Sequence, residues 1–315
     1  ENTRELLSVV VPVYNEAAVL QDFHSSLCRA MDETGCPWEL IYVDDGSSDE
    51  SAAILAALRE SDQRLAIVEL SRNFGKEVAL SAGLDHARGE AVIIIDADLQ
   101  DPPELIADFL REWRAGYDVV YGQRTDRRGE SRLKILTAKW FYYTINRLSE
   151  VEIPRDAGDF RLLSRRAVEA LKSMPERHRY MKGLYAWIGF PQKAIPYVRQ
   201  PREAGTTKWN YRRLWNFAIE GITSFSDVPL KVATYLGVLT SCGAFFYGLF
   251  LLLRTLVWGN PVPGYPSLII VMLFLGGVQL ICLGIIGEYL ARIHLRSMEQ
   301  PPYAVCSRTA RDAEP

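Results

Sequence analysis

The residues of this chain best suited to chemistry stand where an apolar run stops: Ile93-Ile94-Ile95 leads directly into Asp96-Ala97-Asp98-Leu99-Gln100-Asp101. Read as a strand, the run sends Asp96 and Asp98 to the same face by alternation, and at a strand's end a divalent cation can reach both carboxylates, water and a ligand. That layout suits holding a metal against a diphosphate. An isolated D-x-D also serves merely to cap a strand before a helix, here one opening at Pro102-Pro103. The neighbouring segments decide between the two readings.

Residues 7–13, 40–44, 65–70, 91–96 and 119–121 read as short apolar strands, and between the first four lie stretches of helical spacing at 17–33, 49–60 and 76–87. Ser48 is the expected cap of the second helix. Such alternation calls for an α/β fold with a mostly parallel sheet covered on both faces, and ligands of such sheets lie beyond the carboxyl ends of the strands. The polar residues collect at those ends. After the first strand comes Pro12-Val13-Tyr14-Asn15-Glu16, after the second Asp44-Asp45-Gly46-Ser47-Ser48-Asp49, after the third Ser71-Arg72-Asn73-Phe74-Gly75-Lys76, and after the fourth the acidic cluster. Asp44 to Ser47 taken alone would be an ordinary turn; four rims in company define a ligand edge. No G-x-G-x-x-G follows the first strand, and Gly75-Lys76 is followed by Glu77, so dinucleotide and P-loop readings fail. A bound diphosphate would need a metal and a few basic side chains.

The 315 residues carry a formal net charge of -3, which gives no sign of nucleic-acid binding. The five cysteines Cys28, Cys36, Cys242, Cys282 and Cys306 are odd in number and scattered, which fits a reducing compartment and argues against a disulfide framework or zinc site. The first apolar run, 6–11, is too short for a secretory signal, so the N-terminal part is expected in the cytoplasm. The mean hydropathy of -0.04 averages two unlike regions. Residues 232–253 and 261–287 contain no Asp, Glu, Lys or Arg, and at about 1.5 Å per residue each can cross a hydrocarbon core of roughly 30 Å. Two membrane spans are expected, with both ends in the cytoplasm, because Lys208, Arg212, Arg213 and Lys231 precede them and Arg292, Arg296, Arg308 and Arg311 follow. Residues 209–225 alternate aromatic and apolar side chains with Arg212, Arg213 and Glu220, as in an interfacial amphipathic helix.

In order and spacing, Val11-Pro12-Val13-Tyr14-Asn15-Glu16, Val43-Asp44-Asp45-Gly46-Ser47-Ser48-Asp49, Arg72-Asn73-Phe74-Gly75-Lys76, Asp96-Ala97-Asp98-Leu99-Gln100-Asp101-Pro102-Pro103, Gly158-Asp159-Phe160-Arg161-Leu162 and Thr207-Lys208-Trp209 resemble the family 2 inverting glycosyltransferases, within them the polyprenyl-phosphate sugar transferases. The resemblance implies a GT-A nucleotide-sugar-binding domain over 1–205, an interfacial segment over 206–228, two transmembrane helices within 229–293 and a cytoplasmic tail over 294–315. It implies that Pro12, Tyr14, Glu16 and Asp45 hold the nucleoside. Asp96, Asp98 and Gln100 would face a divalent cation, Mg²⁺ or Mn²⁺, and the diphosphate, with Asp98 the direct ligand. Arg124 and Lys208 would lie near the phosphates, and Asn15, Asp44, Asn73, Lys76, Ala97 and Arg161 complete the substrate-binding set. Asp159 sits where the family keeps its base, while Asp159 or Asp156 could instead orient Arg161 or the sugar.

The expected reaction is transfer of a sugar, glucose from UDP-glucose by subfamily resemblance, to a polyprenyl phosphate in a bacterial-type inner membrane. GDP-mannose or another UDP-sugar stays open as donor, as do homo-oligomers and a non-catalytic, membrane-tethered nucleotide-sugar-binding module. A phosphate monoester has a second pKa of about 6 and is largely anionic near neutrality, so a strong general base is less necessary than for a hydroxyl acceptor. The polar loop 125–131 is a candidate lid. A polymerising synthase would show Q-x-x-R-W and more spans, and a pyrophosphorylase a G-x-G-T-R-x-x-P loop; neither pattern is present.

Overall fold

The computed structural model describes residues 5–125, 157–174, 181–198, 228–258, 264–297 and 301–309. Asp156, Lys208, most of the 125–131 loop and the 209–225 segment lie outside them. The described residues fall into two compact units, a sheet with its helices and a pair of long helices.

The first unit is built on parallel strands β1 (Leu7–Val13), β2 (Trp38–Asp44), β3 (Leu65–Leu70) and β4 (Ala91–Ile94), linked by α1 (Leu20–Glu33), α2 (Ser51–Ser61) and α3 (Lys76–His86). These strands are apolar almost throughout because both faces are covered. One face packs Leu7, Val9 and Val11 against Leu20, Phe23, Leu27 and Met31 of α1, joined by Ile106 and Phe109 of α4 (Ile106–Arg114). On the other, α3 approaches so closely that a Cβ on Gly83 would lie 2.2 Å from Val10 Cγ1 and 3.2 Å from Val43 Cγ2. Only glycine fits this helix-to-sheet contact without a shift.

Strands β5 (Val119–Arg124), β6 (Ala157–Ser164) and β7 (Gln192–Tyr197) extend the sheet, with α5 (Arg165–Lys172) and α6 (Met181–Trp187) between β6 and β7. Strand β6 runs antiparallel to both β4 and β5. Residues 305–309, placed in a tail by the sequence reading, form β8 (Val305–Thr309) antiparallel to β3, giving the order β7-β5-β6-β4-β1-β2-β3-β8.

Two expectations change. Strand β4 ends at Ile94, so Asp96 and Asp98 stand on the turn beyond it, where Leu99 takes a left-handed φ of 57°; the turn, not strand alternation, aims them. Nor does Ser48 cap α2: its amide donates to Asn15 Oδ1 at 2.8 Å, while Asp49 Oδ1 accepts from Ser51 N at 3.0 Å.

The second unit consists of α7 (Val228–Trp258) and α8 (Tyr265–Ser297), which pack together, with Cys282 Sγ 3.4 Å from the Ala233 carbonyl. Large apolar side chains face outward on both, among them Leu239, Phe245, Leu256, Met272 and Leu280. Among the described residues, Phe274–Ala291 of α8 is long and apolar enough to cross a membrane.

Candidate active site

The carboxyl ends of β1, β2 and β3 are stitched into one rim. Asn15 takes a left-handed φ of 55°, which asparagine tolerates, and its amide donates to Ser47 Oγ at 3.0 Å. Glu16 N donates to Ser51 Oγ at 3.0 Å and Ala17 N to Asp49 Oδ2 at 3.2 Å. Asp44 is buried and accepts from both the amide and the hydroxyl of Ser47, at 3.1 and 2.5 Å. Burial pushes the carboxyls of Asp44 and Asp45 up, against the pull of these hydrogen bonds.

Asp45 faces inward. Its two oxygens accept from Phe74 N at 2.7 Å and Gly75 N at 2.9 Å, so it pins the loop after β3. Gly46, with φ +66°, lets that loop pass, since a Cβ there would meet the Arg72 carbonyl carbon at 2.6 Å. The aromatic ring of Tyr14 and the side chain of Asn73 are left at the exposed rim, with Pro12 and Glu16 half-buried beside them.

The pinned loop delivers Lys76, the first residue of α3, into the acidic cluster. Its Nζ lies 2.7 Å from Asp96 and 2.5 Å from Asp159 Oδ2, joining residues 83 apart in sequence. Although burial opposes its charge, the carboxylates of Asp159 and Asp96 hold the ammonium well above the ordinary lysine range. Burial would push Asp159 up, but Lys76, then Lys182, outweigh it and hold the carboxyl well below the usual range. Asp96 is raised, chiefly by burial, with Lys76 opposing. Asp98 is partly exposed and its Oδ1 accepts from Gln100 N at 3.2 Å; Ala97 is buried beneath the turn.

Two supporting groups flank this centre. Arg124 Nε donates to the Tyr197 hydroxyl at 3.4 Å, and that hydroxyl donates to the buried Asp101. Burial works against the Arg124 charge, but Tyr197, Asp101 and Asp96 raise its pKa. Arg161, fully inside, donates to the carbonyls of Gly158 at 2.6 Å and Asp159 at 3.4 Å and stacks 3.5 Å over the Tyr185 ring. Arg161 therefore grips the backbone that carries Asp159, whereas the Asp159 carboxylate turns to Lys76. Burial and the charge of Asp159 push Glu77 up to about 8.

Of the residues expected from sequence, Lys76, Asp96 and Asp159 meet directly, with Asp98, Gln100, Arg124 and Arg161 around them. Asp101, Tyr197, Tyr185 and Glu77 complete the site and were not singled out. Asp101 stood in the quoted acidic motif, but neither tyrosine has a local signal. Asp96, Asp98 and Gln100 present only oxygen donors, the choice of a hard divalent cation. The residues fit such an ion: Asp101 Oδ2 and Asp159 Oδ1 are buried without a hydrogen-bond partner among the described residues, and a cationic group already sits on Asp96. Elsewhere, His24, Cys28 and Asp62 come within 4.8 Å of one another near the amino end of β3. Both Asp62 oxygens are held by Arg64, and burial pushes the Cys28 thiol up to about 11, so that group reads as polar packing.

Comparison with known proteins agrees with this geometry. The profile of glycosyl transferase family 2 matches residues 8–172, and that of the GtrB C-terminal hairpin matches residues 228–293. An uncharacterized glycosyltransferase of Synechocystis sp. is 52% identical over 95% of this chain and 94% of its own. The bactoprenol glucosyl transferase of Shigella phage SfV is 47% identical over 95% and 97%, and a prophage bactoprenol glucosyl transferase homolog of Escherichia coli is 45% identical over 95% and 98%. Glucosyl-3-phosphoglycerate synthase from Mycobacterium tuberculosis, in complex with Mn²⁺, UDP and phosphoglyceric acid, shares the fold at a TM-score of 0.50 and 22% identity, over 70% of this chain and 77% of that one. With its acidic rim on a mostly parallel α/β sheet of GT-A type, this chain belongs to glycosyl transferase family 2.

Proposed function

We propose that the chain transfers glucose, with inversion at C1, from UDP-glucose to a polyprenyl phosphate in a membrane. What carries the reading is near full-length similarity to proteins named bactoprenol glucosyl transferases. The rim supports it, since its carboxylates and Arg124 are the groups that a metal-bound diphosphate needs.

The exposed ring of Tyr14 and the rim around Asn15, Glu16 and Asn73 take the nucleoside, with Asp44 and Asp45 fixing the loops beneath. Asp96, Asp98 and Gln100 hold Mg²⁺ or Mn²⁺, which when bound draws charge off the departing diphosphate. Arg124 is steadied by Tyr197 for the same anion, and Lys208 joins it when the donor is in place. Asp159 is a weak base, because Lys76 stabilises its ionised form. Its role is to orient the sugar and its cationic neighbours, leaving the already anionic acceptor phosphate to attack. Asp156 is the second carboxylate proposed for that positioning.

Helices α7 and α8, of 31 and 33 residues, are each about 45 to 50 Å long and exceed the hydrocarbon core. Their outward Phe, Leu and Met side chains support two spans, with both ends on the cytoplasmic side. Such anchoring suits an enzyme whose acceptor is a lipid phosphate.

The test is purified protein with short polyprenyl phosphate, Mn²⁺ and labelled UDP-glucose, GDP-mannose or other UDP-sugars. Labelled lipid from UDP-glucose is expected; label from another donor alone overturns the choice of sugar, and none from any donor overturns the activity. Asp98→Asn is expected to abolish metal-dependent transfer while the melting temperature holds, and retained activity would refute Asp98 as a ligand.

A further inference from the structure

The register of β4 and β6 pairs Ile94 with Arg161. That pair ends the ladder: Asp96 stands on the turn just beyond β4, Asp159 lies within β6, and both carboxylates reach the same ammonium, that of Lys76. Two carboxylates gathered so closely repel. Lys76 resolves the conflict by placing one ammonium between them, at 2.7 and 2.5 Å. Both carboxylates are largely covered, Asp159 at 14% and Asp96 at 19% exposed, while the lysine side chain is 40% exposed. The lysine backbone is held, because Asp45 pins the Phe74 and Gly75 amides just before it.

We infer that Lys76 is a built-in counter-ion that competes with the divalent cation for Asp96: it holds Asp96 and Asp159 together while the ion is away and releases Asp96, keeping Asp159, when the ion binds. An ammonium and a divalent ion on one carboxylate repel, so each weakens the other's hold, and the coupling is reciprocal. Cation binding is thereby linked to side-chain movement at the centre of the site, and Lys76 lowers affinity for the free ion. The lysine stays with Asp159, whose orientation it preserves. Lys76 is in this sense a positioning residue, acting through two carboxylates. The inference rests on the proposed cation role of Asp96 and Asp98 but goes beyond it, since that role alone predicts nothing about Lys76.

The experiment measures binding of Mn²⁺ alone to the full-length protein in detergent, without donor, by electron paramagnetic resonance of the free ion. Lys76→Met is expected to bind Mn²⁺ roughly five- to hundredfold more tightly than the unaltered protein, the usual span of coupling between two ligands. Lys76→Arg keeps the competing charge and is expected to leave the affinity within about threefold of the unaltered protein, below that span. Should Lys76→Met fail to fold, Lys76→Gln removes the same charge and gives the same comparison. Unchanged or weaker Mn²⁺ binding in a folded, charge-removed variant overturns the inference, as does equal tightening in Lys76→Arg. The glycolipid assay separates the two readings. Mn²⁺-dependent transfer without tightening sinks the counter-ion and spares the activity, whereas tightening in a protein that makes no glycolipid does the reverse.

Discussion

Replacing Asp45 by Asn tests whether this residue acts by holding a loop or by touching the nucleoside. In the structure its carboxylate accepts from Phe74 N at 2.7 Å and Gly75 N at 2.9 Å, and the residue is 3% exposed. Asn offers one oxygen and turns an NH₂ toward the second amide, so one hydrogen bond to a charged acceptor is lost and a half-buried N–H goes unpaired. Hydrogen bonds to charged groups contribute about 1.5 to 3 kcal/mol, and an unpaired buried amide costs about 1 to 3. These ranges overlap in what they count, and the net loss is about 3 kcal/mol. For a unit of this size, that corresponds to a melting temperature lower by roughly 6 to 12 °C. Release of the loop also displaces Lys76, so donor KM rises together with the fall in stability. The assay pairs a thermal melt followed by circular dichroism with initial rates against UDP-glucose. A raised KM at an unchanged melting temperature would refute the loop-holding argument and return Asp45 to direct nucleoside contact.

Gly83→Ala places a Cβ 2.2 Å from Val10 Cγ1, so α3 must move off the sheet; a loss of about 1 to 3 kcal/mol in urea unfolding is expected, and a neutral result would contradict the packing. Asp118 accepts from Ser164 Oγ at 2.7 Å and from Arg166, whose hydrogen bond, opposed by burial, holds its carboxyl below the ordinary value. Because the folded pKa is the lower one, this contribution is whole above the unfolded pKa of about 3.9 and is lost as pH falls through the folded value. The urea midpoint gap between the unaltered protein and Asp118→Asn should therefore narrow on acidification from pH 7 to 3, and a constant gap would refute the linkage. Deleting residues 301–315 strips β8 from β3 and takes the Ala304 carbonyl from Ser71 N, a 2.9 Å bond at the start of the loop leading to Lys76; lower stability and a higher donor KM are expected, and no change in either would refute a role for the strand.

The first four strands were legible because each is an apolar run covered on both faces, and the rim followed from where those runs stop. Strand β6 was not legible. Its sequence Ala157-Gly158-Asp159-Phe160-Arg161-Leu162-Leu163-Ser164 contains a glycine and two charges, and Arg161 is buried only because Tyr185 and two carbonyls receive it. Strand β7 includes Pro196, which its edge position tolerates, and β8 is a short mixed segment that becomes a strand only because β3 offers an unpaired edge. The geometry of the D-x-D was misread, because the left-handed Leu99 that shapes its turn is a conformation no leucine advertises. Pairing between Lys76 and Asp159 depends on sheet register across 83 residues, which local pattern does not encode.

That pairing bears on how the acceptor is activated. Two carboxyls lie close together behind the rim, and their surroundings drive them apart: Lys76, then Lys182, overcome burial to keep Asp159 ionised, while burial and the Asp159 charge push Glu77 up to about 8. Near neutral pH the charge therefore rests on Asp159 and the proton on Glu77. Environments that separate a pair in this way assign roles within it. Asp159, held ionised by Lys76 and Lys182, is a poor base, and burial keeps the proton on Glu77 against the pull of the Met181 amide at the start of α6. A hydroxyl acceptor would find no deprotonating group in this pair. An acceptor that arrives as an anion needs none, which makes a phosphate the chemically consistent partner of this site.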